Sequence, residues 1–197
     1  MSPCGRCKKR LGSSCCEVLD TERLATLTTA DVNRMVRATS RPARHFLEVE
    51  WLSHGEILDY AQVRPVYEGY FANSPARLTL ARKGGACVFH GAETGCALSS
   101  EVRPVACQLY PFEPWPGGGF SLLVERHGTA ELERRGMAPA CLAVEESESM
   151  EALQKAFGVT EGSLQQLAAR LRGDVLEHGR LRPFKSASRR NKVKRNS

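Results

Sequence analysis

The chain of 197 residues lacks any apolar run of the roughly 18–20 residues that would span a bilayer, and only 7% of its residues are aromatic. Its first residues, MSPCGRCKKR, contain no apolar stretch of the kind found in a secretory signal. The sequence also has no nucleophile elbow, no phosphate-binding P-loop and no paired-histidine zinc motif. We therefore expect a cytoplasmic protein with no membrane partner, whose thiols stay reduced.

Acidic residues are absent from residues 180–197, which carry eight Lys or Arg. The remainder holds 20 basic and 22 acidic residues, so the net charge of +6 comes from this tail. We expect a folded domain over residues 1–179 and a basic, disordered tail over residues 180–197. The alternative for the tail is non-specific binding of nucleic acid through contacts with its phosphates. Residues 1–179 lack the excess of basic residues that is typical of a nucleic-acid-binding domain. A protein partner is left open.

The pattern of apolar residues predicts a mainly helical chain. One helix is expected to start at Thr28 and to end before Pro42, because a capping residue opens the run and a proline follows it. A second helix is expected directly after Pro42. Residues 55–74 are interpreted as a loop with helical turns, and two further helices are expected over residues 150–157 and 160–176.

Strand patterns are short and lie in the middle of the chain. Alternation over residues 77–82, followed by Gly84-Gly85, predicts a β-hairpin with residues 86–89. A third strand is expected over residues 120–125, after a Gly-rich hairpin loop at 114–119. The predicted fold class is α+β, a mainly helical single domain with a small antiparallel β-sheet beside a Cys-rich metal centre.

Eight cysteines are the most informative residues of the chain. They are Cys4, Cys7, Cys15, Cys16, Cys87, Cys96, Cys107 and Cys141. Cys4 and Cys7 form a C-x-x-C pair, a spacing at which a tight turn directs two sulfurs to one metal. Four of the eight lie in a Gly/Ser/Lys-rich segment with no core to enter, which favours metal binding for the set. For Cys87 or Cys107 alone, packing in a core is the simpler interpretation, and a disulfide framework would require export.

The cysteines suit either zinc or an iron–sulfur cluster. Four thiolates around Zn²⁺ or a [4Fe–4S] core leave a net charge of about −2, which a nearby cation such as Arg103 or Arg6 would offset. We lean to iron–sulfur, since eight thiols exceed the four that one zinc needs. His90, three residues after Cys87, serves either as a ligand or as an ordinary surface or helix-end histidine. His45, His54, His127 and His178 are expected at the surface or at helix ends.

The segment CVFHGAETGC…RPVACQLYPF resembles the C-x-F…GC…RP-x-x-C-x-x-YPF signature of the YkgJ-type cysteine-cluster family, described as a zinc- or iron-chelating domain. The matching residues are Cys87, Phe89, Cys96, Arg103, Pro104, Cys107, Tyr110, Pro111 and Phe112. The segment LTTADVNRM resembles the family's LT-x-x-D-x-x-R helix at Leu27, Thr28, Asp31 and Arg34. The chain departs from the family in having seven residues between Cys7 and Cys15, where two or three are usual.

This resemblance implies metal or iron–sulfur binding through the cysteines and leaves the biological role open. A distant branch of the family includes flagellin lysine N-methylases. A cluster-dependent protein lysine methyltransferase is therefore one alternative, with Arg103, Tyr110 and Asp31 lining a pocket for S-adenosylmethionine. A purely structural zinc module is another alternative, and the catalytic residues are unknown.

Overall fold

The computed structural model describes Lys9 and residues 16–17, 25–91, 95–123 and 141–181. Within these residues the chain forms six α-helices and four separate two-stranded antiparallel sheets. The predicted α+β class is thus confirmed, but the single small sheet is replaced by four ribbons. Across the same ranges, no helix combines the length and the apolar character needed to cross a membrane.

The elements follow one another in short units along the chain. The helices are α1 (Thr29–Thr39), α2 (His54–Val63), α3 (Val105–Leu109), α4 (Leu142–Glu145), α5 (Met150–Phe157) and α6 (Glu161–Arg180), with 3-10 turns at Ala43–His45 and Pro65–Tyr67. The paired strands are β1 (Leu47–Trp51) with β2 (Ala76–Leu80), β3 (Arg82–Lys83) with β4 (Ala86–Cys87), β5 (His90–Gly91) with β6 (Gly95–Cys96), and β7 (Phe112–Pro114) with β8 (Phe120–Leu122).

The helices α1, α5 and α6 confirm three predicted helices. Thr28 opens α1 with a capping box: its hydroxyl accepts from Asp31 N, and the Asp31 carboxylate accepts from Thr28 N. Thr160 opens α6 in the same way with Ser163. Gly158 ends α5 in the left-handed conformation at φ 68°, which glycine adopts without steric cost. Local capping therefore fixes where these helices begin and end.

The helix predicted after Pro42 is wrong. A 3-10 turn at Ala43–His45 is followed by β1, whose apolar residues recur at every second position as a strand requires. β1 pairs with β2 in the register Val49 opposite Leu78. The hairpin prediction is confirmed at the Gly84-Gly85 turn, which joins β3 to β4. It is wrong for residues 77–80, which lie in β2 and pair with β1.

Two other predictions are refined by the structure. Residues 55–74, interpreted as a loop with helical turns, contain most of α2, which begins at a capping box between Ser53 and Glu56. The predicted third strand is present as β8, paired with β7 across the expected Gly-rich hairpin loop. α6 extends to Arg180, one residue beyond the predicted domain boundary, and the tail from residue 182 lies outside the described residues.

Buried side chains form two clusters. The helical core contains Val66, Tyr67, Tyr70, Val105, Leu109, Phe112, Cys141, Ala143, Leu153, Leu164, Leu171 and Val175. The strand core contains Leu27, Met35, Phe46, Leu78, Leu80, Cys87, Phe89 and Leu98. The Tyr70 hydroxyl connects the two cores, because it donates to the Leu27 carbonyl at 2.6 Å and accepts from Leu78 N at 3.1 Å.

His178 joins the last turn of α6 to the first turn of α1. Its Nδ1 accepts from Thr29 N at 3.2 Å and lies 2.8 Å from Thr29 Oγ1. The ring stacks on Tyr70, with ring centroids 4.1 Å apart. Burial lowers the pKa of His178 below its usual value, and the charge of Asp31 opposes this shift. This contact therefore requires a neutral imidazole.

We expect the stability of the fold to fall on mild acidification through His178. Because its folded-state pKa is lowered, the contribution is fully present above the unfolded pKa of about 6.5 and is lost as pH falls through the folded value. Urea unfolding midpoints at pH 7.5 and 5.0 measure the loss. His178→Asn, which keeps an acceptor but does not titrate, should show a smaller loss. An equal loss in both proteins would contradict the assignment.

Candidate metal centre

Four cysteines from separate stretches of the chain meet at the strand core. Cys87 is buried within it, and Cys16, Cys96 and Cys107 pack against its members. Cys87 N donates to the Cys16 carbonyl at 2.8 Å, so the backbone at Cys16 lies directly on β4. Burial and proximity thus gather residues that the sequence places in four different segments.

The β5–β6 ribbon positions Cys96. His90 lies directly opposite Cys96 in the register, and opposed residues in an antiparallel pair project from the same face. The His90 side chain is only 7% exposed, and its Nε2 lies 4.0 Å from Glu17 Oε2. His90 is therefore a side chain at the edge of the cysteine cluster, already in contact with a carboxylate.

Helix α3 carries Cys107 at its third position. Pro104 precedes the helix and provides no capping side chain. Val105 N donates to Asp31 Oδ1 at 3.1 Å, and Cys107 N donates to the Pro104 carbonyl at 2.9 Å.

The protonation of the thiols reflects their shared environment. Burial raises the pKa of Cys107 well above its usual value, and the neighbouring Cys16, Cys87 and Cys96 raise it further. Burial likewise raises the pKa of Cys87 to about 11, with a smaller upward contribution from Cys96. The four sulfurs are electrostatic neighbours, so ionising them together without a cation between them is unfavourable.

Cys141 occupies a different place. It is 3% exposed in the helical core, just before α4, and Val144 N and Glu145 N both donate to its carbonyl. The structure therefore separates Cys141 from the four cysteines of the strand core. Cys4, Cys7 and Cys15 lie outside the described residues, as does Arg6.

The residues suggested for a ligand pocket make internal contacts. Asp31 has no exposed surface, and Arg103 Nε donates to the Leu98 carbonyl at 3.1 Å. Tyr110 is partly buried against the helical core. Arg103 thereby closes the loop between Cys96 and Cys107. The contacts of these three residues therefore do not support the methyltransferase alternative.

The other histidines follow the expectation where the structure describes them. His45 and His54 are exposed, the latter at the first position of α2. His178 lies near the end of α6 as expected, but its side chain also joins α6 to α1 through Thr29 N. His127 lies outside the described residues.

A groove of about 370 Å³ lies beside the β5–β6 ribbon. His90 and Leu98 line it from the ribbon side, and Thr39 and Arg41 line it from the end of α1. Leu98 also belongs to the strand core against which the four cysteines pack.

In the ranges that the structure describes, the strand core has the donor atoms of a metal site but not the arrangement of one. Four neighbouring thiols have the chemistry that zinc and iron–sulfur clusters select. Among the described residues, however, no group of three or more His, Cys, Asp or Glu side chains is arranged so that it could hold a metal ion. The chemistry of the four thiols fits a metal, but within the described part of the chain their arrangement does not form a site of three or more ligands.

Comparison with known proteins identifies no relative. The chain matches no family model, no curated protein and no solved structure.

Proposed function

We propose that this protein binds a metal centre, an iron–sulfur cluster or zinc, through Cys16, Cys87, Cys96 and Cys107. The observation that carries the proposal is the meeting of these four thiols at one core, where each of the other three raises the pKa of Cys107. The resemblance to the cysteine-cluster family supports the same function. We propose membership of that family on the residues already named.

Packing alone is a weaker explanation of this cluster. One buried free cysteine is a small apolar residue and needs no ligand. Four thiols from four segments are different, because they are the residue types that take up a cation by losing protons. Cys141, isolated in the helical core, is the kind of cysteine that packing explains.

The choice of metal depends on the remaining cysteines. Four thiolates complete a tetrahedral zinc site or hold one [4Fe–4S] cluster. Cys4, Cys7 and Cys15 give the chain three more thiols before the strand core, and Cys15 is adjacent to Cys16. We favour iron–sulfur, because a single zinc leaves these thiols without a role.

We expect protein purified without oxygen to contain about four iron and four acid-labile sulfide per chain, with a broad absorption band at about 400 nm. Metal analysis, sulfide analysis and a spectrum check this together. One or two zinc without sulfide would support metal binding and assign the centre as structural zinc. Protein that retains neither metal, and gains none on anaerobic reconstitution, would contradict the proposal.

A further inference from the structure

We propose that Asp31 is a positioning residue of the cysteine cluster: its buried carboxylate fixes the start of α3 and so places Cys107 beside the other three thiols. This inference rests on the proposed function. It concerns a residue on α1, distant in sequence from the cysteine that it would place.

The Asp31 carboxylate accepts four hydrogen bonds and has no exposed surface. Oδ1 accepts from Arg34 Nη2 at 2.5 Å and from Val105 N at 3.1 Å. Oδ2 accepts from Thr28 N and from Thr28 Oγ1, both at 3.0 Å. One oxygen therefore serves the α1 cap, and the other reaches out of α1 to α3.

Helix α3 needs an acceptor from elsewhere in the chain. The first amides of a helix have no partner within the helix, and a capping side chain normally supplies one. Here the capping position is Pro104, which has no acceptor group on its side chain. Asp31 takes this role across 74 residues of sequence, and its negative charge also suits the positive end of the helix.

Arg34 adds a second connection to the same turn. Its Nη2 donates both to Asp31 Oδ1 and to the Arg103 carbonyl, the latter at 2.9 Å. Gln108 Nε2 donates to the same carbonyl at 2.7 Å. Asp31 and Arg34 therefore hold the backbone on both sides of Pro104 against α1.

The position of Cys107 depends on this connection. α3 has only five residues, and a helix so short is not stable without external contacts. α3 itself buries Val105 and Leu109 in the helical core. The contacts from Asp31 and Arg34 tie it to α1 as well, and α1 is anchored in the strand core by the fully buried Met35. Each metal–ligand distance must lie within about 0.2 Å of its ideal value, so a helix α3 that is held less firmly should bind metal through Cys107 more weakly.

The test is anaerobic titration of the metal-free full chain with Co²⁺, followed by the sulfur-to-cobalt charge-transfer absorption. We expect Asp31→Ala to change the band and to lower the affinity by up to about 10–100-fold, the range for loss of a group that orients a metal ligand. Asp31→Asn keeps one oxygen for Val105 N and Arg34, so we expect it to retain more affinity than Asp31→Ala.

Thr28→Ala is the matched control. It removes the capping hydroxyl of α1 but leaves the contacts from Asp31 to Val105 and Arg34. We expect its Co²⁺ affinity to stay close to that of the unaltered chain. Equal affinity losses in Thr28→Ala and Asp31→Ala, or no loss in Asp31→Ala, would overturn the inference.

A second readout does not require metal. In the metal-free chain, the rate at which iodoacetamide alkylates Cys107 reports how α3 is held, and Cys141 is the internal reference in the other core. We expect Asp31→Ala to accelerate alkylation of Cys107 severalfold and to leave Cys141 unchanged. An unchanged Cys107 rate would overturn the inference. If the unaltered chain took up no metal, the proposed function would fail, and this rate would still decide the role of Asp31.

Discussion

Cys107→Ser is expected to lower metal affinity by more than about 100-fold, the upper range for loss of an outer contact of a ligand, because it removes one of the proposed ligands. The serine hydroxyl does not ionise near neutral pH, so it cannot replace the thiolate. Metal content after anaerobic reconstitution, and competition with a chelator of known affinity, measure the effect. Since a bound structural metal adds several kcal/mol to folding, we also expect the unfolding midpoint to fall.

Cys141→Ser is the matched control for this prediction. It places the same hydroxyl in the helical core, where an unpaired hydroxyl costs about 1–3 kcal/mol. Both variants should therefore lose stability, but only Cys107→Ser should lose metal. Loss of metal from both would mean that destabilisation, rather than ligation, controls metal content. Full retention in Cys107→Ser would remove Cys107 from the ligand set.

Gly179→Ala is expected to destabilise the protein strongly, because the end of α6 lies against the backbone at Gly69. A Cβ atom at position 179 would come within 1.9 Å of the Gly69 carbonyl oxygen, far inside contact distance. The same end of α6 accepts a hydrogen bond from Asn73 Nδ2 to the Gly179 carbonyl at 2.6 Å. We expect a loss of about 1–3 kcal/mol or more, as in other overpacked sites, measured by urea unfolding.

Gly173→Ala provides the opposite expectation in the same helix. A Cβ atom at position 173 meets no atom within 4 Å. Alanine in the interior of a helix is more favourable than glycine by about 0.5–1 kcal/mol, so this variant should be more stable than the unaltered chain. If Gly179→Ala were also neutral or stabilising, the close contact between α6 and the turn at Gly69 would be wrong.

Local features of the sequence determined the helices α1, α5 and α6. The residues Thr28 and Thr160 begin two of them, and Gly158 ends the third. Caps and periodic apolar faces depend on residues only a few positions apart, so they can be recognised from the sequence. The cysteines that the fold gathers were also identified from the sequence, because their residue type is known before their positions in space are.

Pairing between distant segments was decided by the tertiary structure. β1 was predicted as a helix because its apolar residues also fit a helical face, and its strand form depends on β2, which follows about 25 residues later. The predicted hairpin gave β2 the wrong partner for the same reason. Strand pairing is stabilised by contacts that no single segment contains.

The candidate site shows the same division. From the sequence alone all eight cysteines were candidate ligands, since residue type and spacing do not reveal which core a side chain enters. The fold gathers Cys87, Cys96 and Cys107 with Cys16 and places Cys141 in the helical core. It also directs the Asp31 carboxylate to Val105 N, because Pro104 leaves that amide without a local acceptor.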